Sequence, residues 1–217
     1  MMIVFQNTRL ARTWKRTIQV IDYNSLLERA EHYQLCLAPD KVLFVTAAVD
    51  TQDNRLAVQV VGWGRGLCAW VLDYVEFPGD PANDDVWNTL TDYINAGVKH
   101  ESGRTLQIVA TGIDTGGHRT HAVRHYVREA RIRNPIALFG STSINAPPLK
   151  KGQAVDVIFK GIAKKKILTQ YSVGTIDLKH DLMSKLQNDS NKEPSDRMLR
   201  FSNELPPEYF SGILSEA

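Results

Sequence analysis

The chain has 217 residues, of which 43% are hydrophobic and 23% charged, and a formal net charge of +2. That length and apolar content suit one ordinary domain with a real core plus an extension. The charge is too small for a global field that would announce nucleic acid. Cys36 and Cys68 stand far apart with no zinc-ligand spacing, so they read as reduced thiols of a cytosolic protein and not as a staple. No apolar stretch approaches the roughly 20 residues a membrane helix needs, and no signal-peptide pattern opens the chain. No membrane partner is expected, and a cytoplasmic location is.

Residues 1 to about 40 differ in pattern from the remainder of the chain. Arg9, Arg12, Lys15 and Arg16 surround Trp14, and SLLERAEHY predicts one short helix with Ser25 as N-cap, ended by Pro39. This reads as an arm or linker, with the domain proper from residue 41 to 217. From Val42 the pattern turns to strands. VLFVTAAV is almost continuously apolar, as a strand covered on both faces should be. After the turn residues DTQDN, RLAVQVVGW predicts a second strand, and LCAWVLDYVEF, beyond the glycine-punctuated GWGRG hairpin, a third.

PGDPANDD breaks the sheet. Val86, Trp87, Leu90, Tyr93 and Ile94 then fall at helical spacing behind a cap at Asn83 or Asp84. Leu106 to Ile113 is the fourth strand. His118 to Arg131 is a helix with Ala122, Val123, Tyr126, Val127 and Ala130 inward, and Ile136 to Phe139 is the fifth strand. Beyond it the pattern weakens. APPLKKGQ reads as a loop, Ile167 to Val173 as a strand, and Thr175 to Gln187 as a helix buried through Leu178, Leu182 and Leu186. NDSNKEPSDR reads as a mobile polar loop. An antiparallel three-strand meander, then helix, strand, helix, strand, predicts an α/β, ribonuclease-H-like mixed sheet flanked by helices. In that arrangement the first and fourth strands lie side by side, an inference from fold analogy.

Two aspartates end apolar runs: Asp50 in VLFVTAAVDTQ and Asp114 in LQIVATGIDTGGH. Carboxylates at a strand's end can gather hard cations. Two-metal phosphoryl hydrolysis needs ions about 3.5–4 Å apart bridged by such oxygens. The competing reading is that each Asp merely starts a turn. In TGGHRTHAVRHY, Gly116 and Gly117 free the backbone before a helix whose N-terminus can approach phosphate, which makes His118, Arg119 and Arg124 candidate DNA contacts. His121 and His125 have zinc-like i, i+4 spacing, but no third ligand accompanies them. Lys150 and Lys151, then Lys164, Lys165 and Lys166, form two basic clusters in or beside loops, either phosphate contacts or a solvated surface. No phosphate-cradling loop ending in Lys-Ser or Lys-Thr, no nucleophile elbow and no dinucleotide fingerprint appears.

The runs VLFVTAAVDTQDNRLAVQVVGWG, GIDTGGHRTHAV, VGTIDLKHDLMSKL and ELPPEYFSGILSE, in that order, resemble the C-terminal half of the lambda-type phage terminase large subunit. FQNTRLARTW resembles the stretch joining that family's ATPase half to its nuclease. The resemblance implies a Mg²⁺- or Mn²⁺-dependent endonuclease cutting concatemeric phage DNA during packaging in the cytoplasm of a bacterial host. It carries metal-ligand roles onto Asp50 and Asp114. The partners it implies are double-stranded DNA, the small terminase subunit, the portal protein and the ATPase half. The family's further acidic motif lies downstream of the segment matching YFSGILSE. The expected domain therefore lacks its C-terminal end, with Asp181 as a substitute third carboxylate and Glu204 and Glu208 behind it. The alternative function is a catalytically weak DNA-binding or portal-docking module of a prophage remnant.

Overall fold

The computed structural model describes residues 21–215; Trp14 and its basic neighbours lie outside the described residues. Among these, α1 (Tyr23–Glu28) and β1 (Leu37–Ala38) precede the meander of β2 (Phe44–Thr51), β3 (Arg55–Trp63) and β4 (Ala69–Pro78). Next come α2 (Asp84–Ala96), β5 (Val98–His100), β6 (Thr105–Leu106), β7 (Ile108–Asp114), α3 (Thr120–Glu129) and β8 (Pro135–Ser141). The chain continues through β9 (Leu149–Phe159), β10 (Ile162–Gly174), α4 (Thr175–Asp189), β11 (Leu199–Arg200) and α5 (Pro207–Ser215). The main sheet has eight strands in the order β11-β4-β3-β2-β7-β8-β10-β9, and β1, β5 and β6 form a small second sheet.

The meander is antiparallel, while β2, β7, β8 and β10 run parallel to one another. The expected neighbours β2 and β7 do pair, in register from Thr46↔Ala110 to Val49↔Ile113. Their alternation builds two cores. Val45, Ala47 and Val49 of β2 point to one face, where they join Val86, Trp87, Leu90 and Ile94 of α2 and Val123, Tyr126 and Val127 of α3. The Trp87 and Tyr126 rings stack there at 4.6 Å, worth about 0.5–1.5 kcal/mol beyond area burial. Asp84 and Asp85 favour the positive end of α2, and Gly97, at φ 68°, ends it. On the other face, Val71 of β4 packs with Leu26, Met183, Leu186, Phe201, Leu205, Tyr209 and Phe210.

Several local expectations are corrected. The first helix is capped by Asp22, whose carboxylate accepts from the Ser25 N–H at 3.2 Å; Ser25 lies inside it. The fourth strand starts at Ile108, because Thr105 and Leu106 pair with β5 in the small sheet. The helix expected from His118 begins at Thr120, and Ala130 is its left-handed C-cap, not a core residue. APPLKKGQ is a loop only as far as Pro148; Leu149 opens an 11-residue strand whose partner β10 starts five residues earlier than expected. Propensity missed this hairpin because its lysines depress the apolar signal while cross-strand pairing fixes the backbone. Leu178 is exposed and Met183 takes its expected place in the core.

The NDSNKEPSDR segment is held by buried charge. Asp189, 1% exposed, accepts from the backbone N–H groups of Met198 and Leu199 at 2.9 Å each and faces Arg29 at 3.7 Å. Arg29 also donates to the Leu186 carbonyl at 2.8 Å. With Leu26 fully buried and β1 paired to β5, residues 22–38 are built into the body of the domain.

Candidate active site

Four parallel strands deliver their C-terminal ends to one edge of the sheet, bringing Asp50, Asp114, Ser141 and Gly174 to the same side of the molecule. Val49 pairs with Ile113, so one residue further Asp50 stands beside Asp114 on the adjacent strand. Neighbouring strands lie about 4.8 Å apart. Because Val49 and Thr51 turn into the core, Asp50 leaves by the opposite, exposed face, and Asp114, in phase with it, leaves by the same one. Neither carboxylate forms an ion pair among the described residues. Asp50 Oδ2 instead accepts from Gln52 Nε2 at 2.8 Å. Sequence reasoning assigned Gln52 no role, although its i+2 spacing from Asp50 within the turn was the available clue.

The Asp-Thr-Gly-Gly turn is built around the second carboxylate. Thr115 is buried; its N–H and its hydroxyl both donate to the Leu138 carbonyl, at 2.8 and 2.7 Å, locking the turn to β8. Gly116 donates its N–H to Asp114 Oδ1 at 3.0 Å. A Cβ on Gly116 would come within 3.0 Å of Asp114 Oδ2, so the missing side chain is what lets the carboxylate lie over the turn. Gly117, at φ 72°, then redirects the chain toward α3.

The cationic candidates are drawn into contacts within the chain. His118 Nδ1 lies 3.2 Å from Asp53, closing a hollow lined by Thr51, Gln52, Asn54 and Gly117. Arg119 pairs with Asp80 at 2.9 Å. Arg124 donates through Nε to Gln170 Oε1 at 3.0 Å, tying α3 to β10. His125 stacks on Phe159 at 3.6 Å, which accounts for its spacing from His121 without a metal. Lys150 and Lys151 are exposed on β9 near the carboxylate edge, and Lys164, Lys165 and Lys166 are exposed on β10. Asp181 is exposed on α4 and paired with Lys185 at 2.6 Å. Glu204 accepts from the Leu35 N–H at 2.8 Å, and Glu208 sits in the first turn of α5. Among the described residues no group of three or more His, Cys, Asp or Glu is arranged to hold a metal ion. The fit is therefore two adjacent carboxylates, suited to a hard cation's oxygen preference but short of a complete cage.

The sequence matches the family described as terminase large subunit gpA, endonuclease domain, over residues 1–217. The chain belongs to that family. It is 32% identical over 177 residues to the terminase large subunit of Escherichia phage lambda, an alignment covering 78% of this chain and 28% of the relative. To the terminase large subunit of Enterobacteria phage P21 it is 25% identical over 215 residues, covering 95% of this chain and 31% of that protein. The chain thus spans less than a third of the length of these curated relatives. No solved structure matches it. Among the described residues no helix is long and apolar enough to cross a membrane.

Proposed function

We propose that this terminase endonuclease domain is a Mg²⁺- or Mn²⁺-dependent endodeoxyribonuclease that hydrolyses phosphodiester bonds of concatemeric phage DNA at the edge shared by Asp50 and Asp114. The observation that carries the reading is that pairing of β2 with β7 brings those two acids side by side on one exposed face. The strand order β4-β3-β2-β7-β8, antiparallel then parallel, supports a ribonuclease-H-like fold as its frame. A divalent ion held there would supply Lewis-acid stabilisation of the phosphate charge and an activated water. Asp50 and Asp114 would be its ligands, Gln52 fixes the rotamer of Asp50, and the Thr115–Gly117 turn fixes Asp114. Two-metal hydrolysis further requires another carboxylate. Asp181, the sequence's candidate, is paired with Lys185 and is not grouped with Asp50 and Asp114, so the described residues supply two ligands of that set.

The exposed lysine clusters would contact phosphates, and His118, Arg119 and Arg124 would join them on leaving Asp53, Asp80 and Gln170. Such contacts are sequence-neutral, so positioning on the genome would fall to the small terminase subunit, with the ATPase half and the portal as the other partners. A location in the cytoplasm of the bacterial host follows from that role. Plasmid nicking in Mn²⁺, compared between the chain and Asp50→Asn, tests the reading: nicking abolished by the substitution is expected. The absence of three grouped ligands among the described residues favours one second reading, a DNA-binding or portal-docking module with weak catalysis. DNA binding without nicking at any Mn²⁺ concentration would establish it instead.

A further inference from the structure

The β9–β10 hairpin carries six lysines and a single acid, Asp156. Three features make it a rigid platform. Its turn is the dipeptide Lys160-Gly161, both residues at positive φ, the two-residue geometry that matches the twist of paired strands. Phe159 beside that turn is clamped onto α3 by the His125 stack, and Arg124 of α3 grips Gln170. Between the Lys164↔Val157 and Leu168↔Val155 pairs, three residues of β10 face the single residue Asp156 of β9. Lys166 takes a left-handed φ of 50° in this bulge, and its N–H donates to Asp156 Oδ1 at 2.9 Å. The only acid on the hairpin thus fastens backbone, and Lys164, Lys165 and Lys166 stay exposed on a fixed bulge.

The pairing register places the two basic clusters. Asp114 and Tyr171 both lie opposite Leu138 of β8, and Ser172 lies opposite Lys150, so Lys150 and Lys151 are level with the carboxylates. Lys164 lies opposite Val157. The six-residue step from Lys151 to Val157 runs about 20 Å along the strand. At 3.4 Å per base pair that is roughly six base pairs of duplex.

We propose that the β9–β10 ribbon is a duplex-DNA arm. Lys150 and Lys151 engage phosphates beside the scissile position, and the bulge lysines engage phosphates about six base pairs away on one side of it. Lysine is depleted at protein–protein interfaces, whereas two lysine clusters spaced along one ribbon, the nearer level with the carboxylates, match a continuous polyanion. The placement beside the cut rests on the proposed nuclease reading; the engagement of duplex at two separated points does not.

The test is fluorescence anisotropy with the full chain in EDTA, using a stem-loop DNA with a 5-base-pair stem, a 12-base-pair duplex and a 30-base-pair duplex. Affinity should step up between the shortest and the 12-base-pair DNA as both clusters become bridged. In a K164A/K165A/K166A triple variant, with its fold checked by circular dichroism, that step should disappear. Its affinity for the longest duplex should fall roughly tenfold or more, with a salt slope lower by about 2 to 3. A K150A/K151A variant should lose the same step from the other end. A step that persists in the triple variant, or unchanged binding of the 30-base-pair duplex, would overturn the proposal and turn the bulge toward an acidic protein partner. Because binding is read without metal, failure of the nuclease reading shows only in the nicking assay and leaves this result intact.

Discussion

Gly116→Ala isolates the geometry of the candidate site from the stability of the fold. The new Cβ would meet Asp114 Oδ2 at 3.0 Å and Oδ1 at 3.4 Å, and no backbone atom is among its near neighbours. Gly116 is not among the glycines held at positive φ, so alanine fits its backbone. The clash is relieved by turning the carboxylate, at about 0.5–1.5 kcal/mol for a rotation of roughly 30°. Against this, replacing glycine at a compatible position stabilises by about 0.4–1 kcal/mol through the unfolded chain. The net change in stability lies within about 1 kcal/mol, or roughly 2–4 °C in Tm for a domain of this size. Function should respond differently, because a misplacement of about 1 Å at a reacting centre can cost on the order of a hundredfold. Mn²⁺-dependent nicking should therefore fall by about tenfold to a hundredfold on that same basis. Calorimetry and a plasmid nicking time course, run on one preparation, measure the two quantities. Full nicking activity in a normally folded variant would show that the lie of Asp114 over its turn is irrelevant to the chemistry.

Other outcomes rest on the same network of contacts. Asp189→Ala leaves Arg29 buried without its counter-charge and strips an acceptor from two N–H groups; a loss of about 3–5 kcal/mol is expected in urea unfolding, and a loss below about 1 kcal/mol would mean that water replaces the carboxylate. Asp80→Asn releases Arg119 from its 2.9 Å partner; DNA affinity should rise a few-fold and the salt slope by about 1, while no change in either would make Arg119 a purely structural residue. Partial desolvation of the sulfur, reinforced by the hydrogen bond and negative charge of Asp73 and the charge of Glu204, pushes the Cys36 thiol up to about 12. Because only the thiolate reacts, Cys36 should label on the order of a thousandfold more slowly at pH 8 than an unperturbed thiol, despite its exposure. Its rate should climb about tenfold per pH unit toward that value, and Asp73→Asn should accelerate it; Ellman's reagent, with Cys36→Ser to assign the signal, measures both.

Local chemistry was enough to place the central elements and to pick out the acid pair. Largely apolar runs ending in Asp-Thr can be read as strands without knowledge of the fold, as VLFVTAAV and QIVATGI show. The same holds for the buried stripe of α2. The expected cover on both faces of the first strand fails. β2 starts at Phe44 and buries only one face, with Phe44 and Ala48 exposed on the other because only the first face meets helices. Features that depend on partners distant in the chain became visible only in three dimensions. The lysine-rich residues after Pro148 become strand because β10 pairs with them. Residues 22–38 join the fold because Arg29 meets the carboxylate of Asp189. His118 and Arg119 pair with acids on other loops, Asp53 and Asp80. Side-chain periodicity records which face of an element is covered, but an ion pair or a strand register is a property of two segments at once, and no stretch of one segment encodes it.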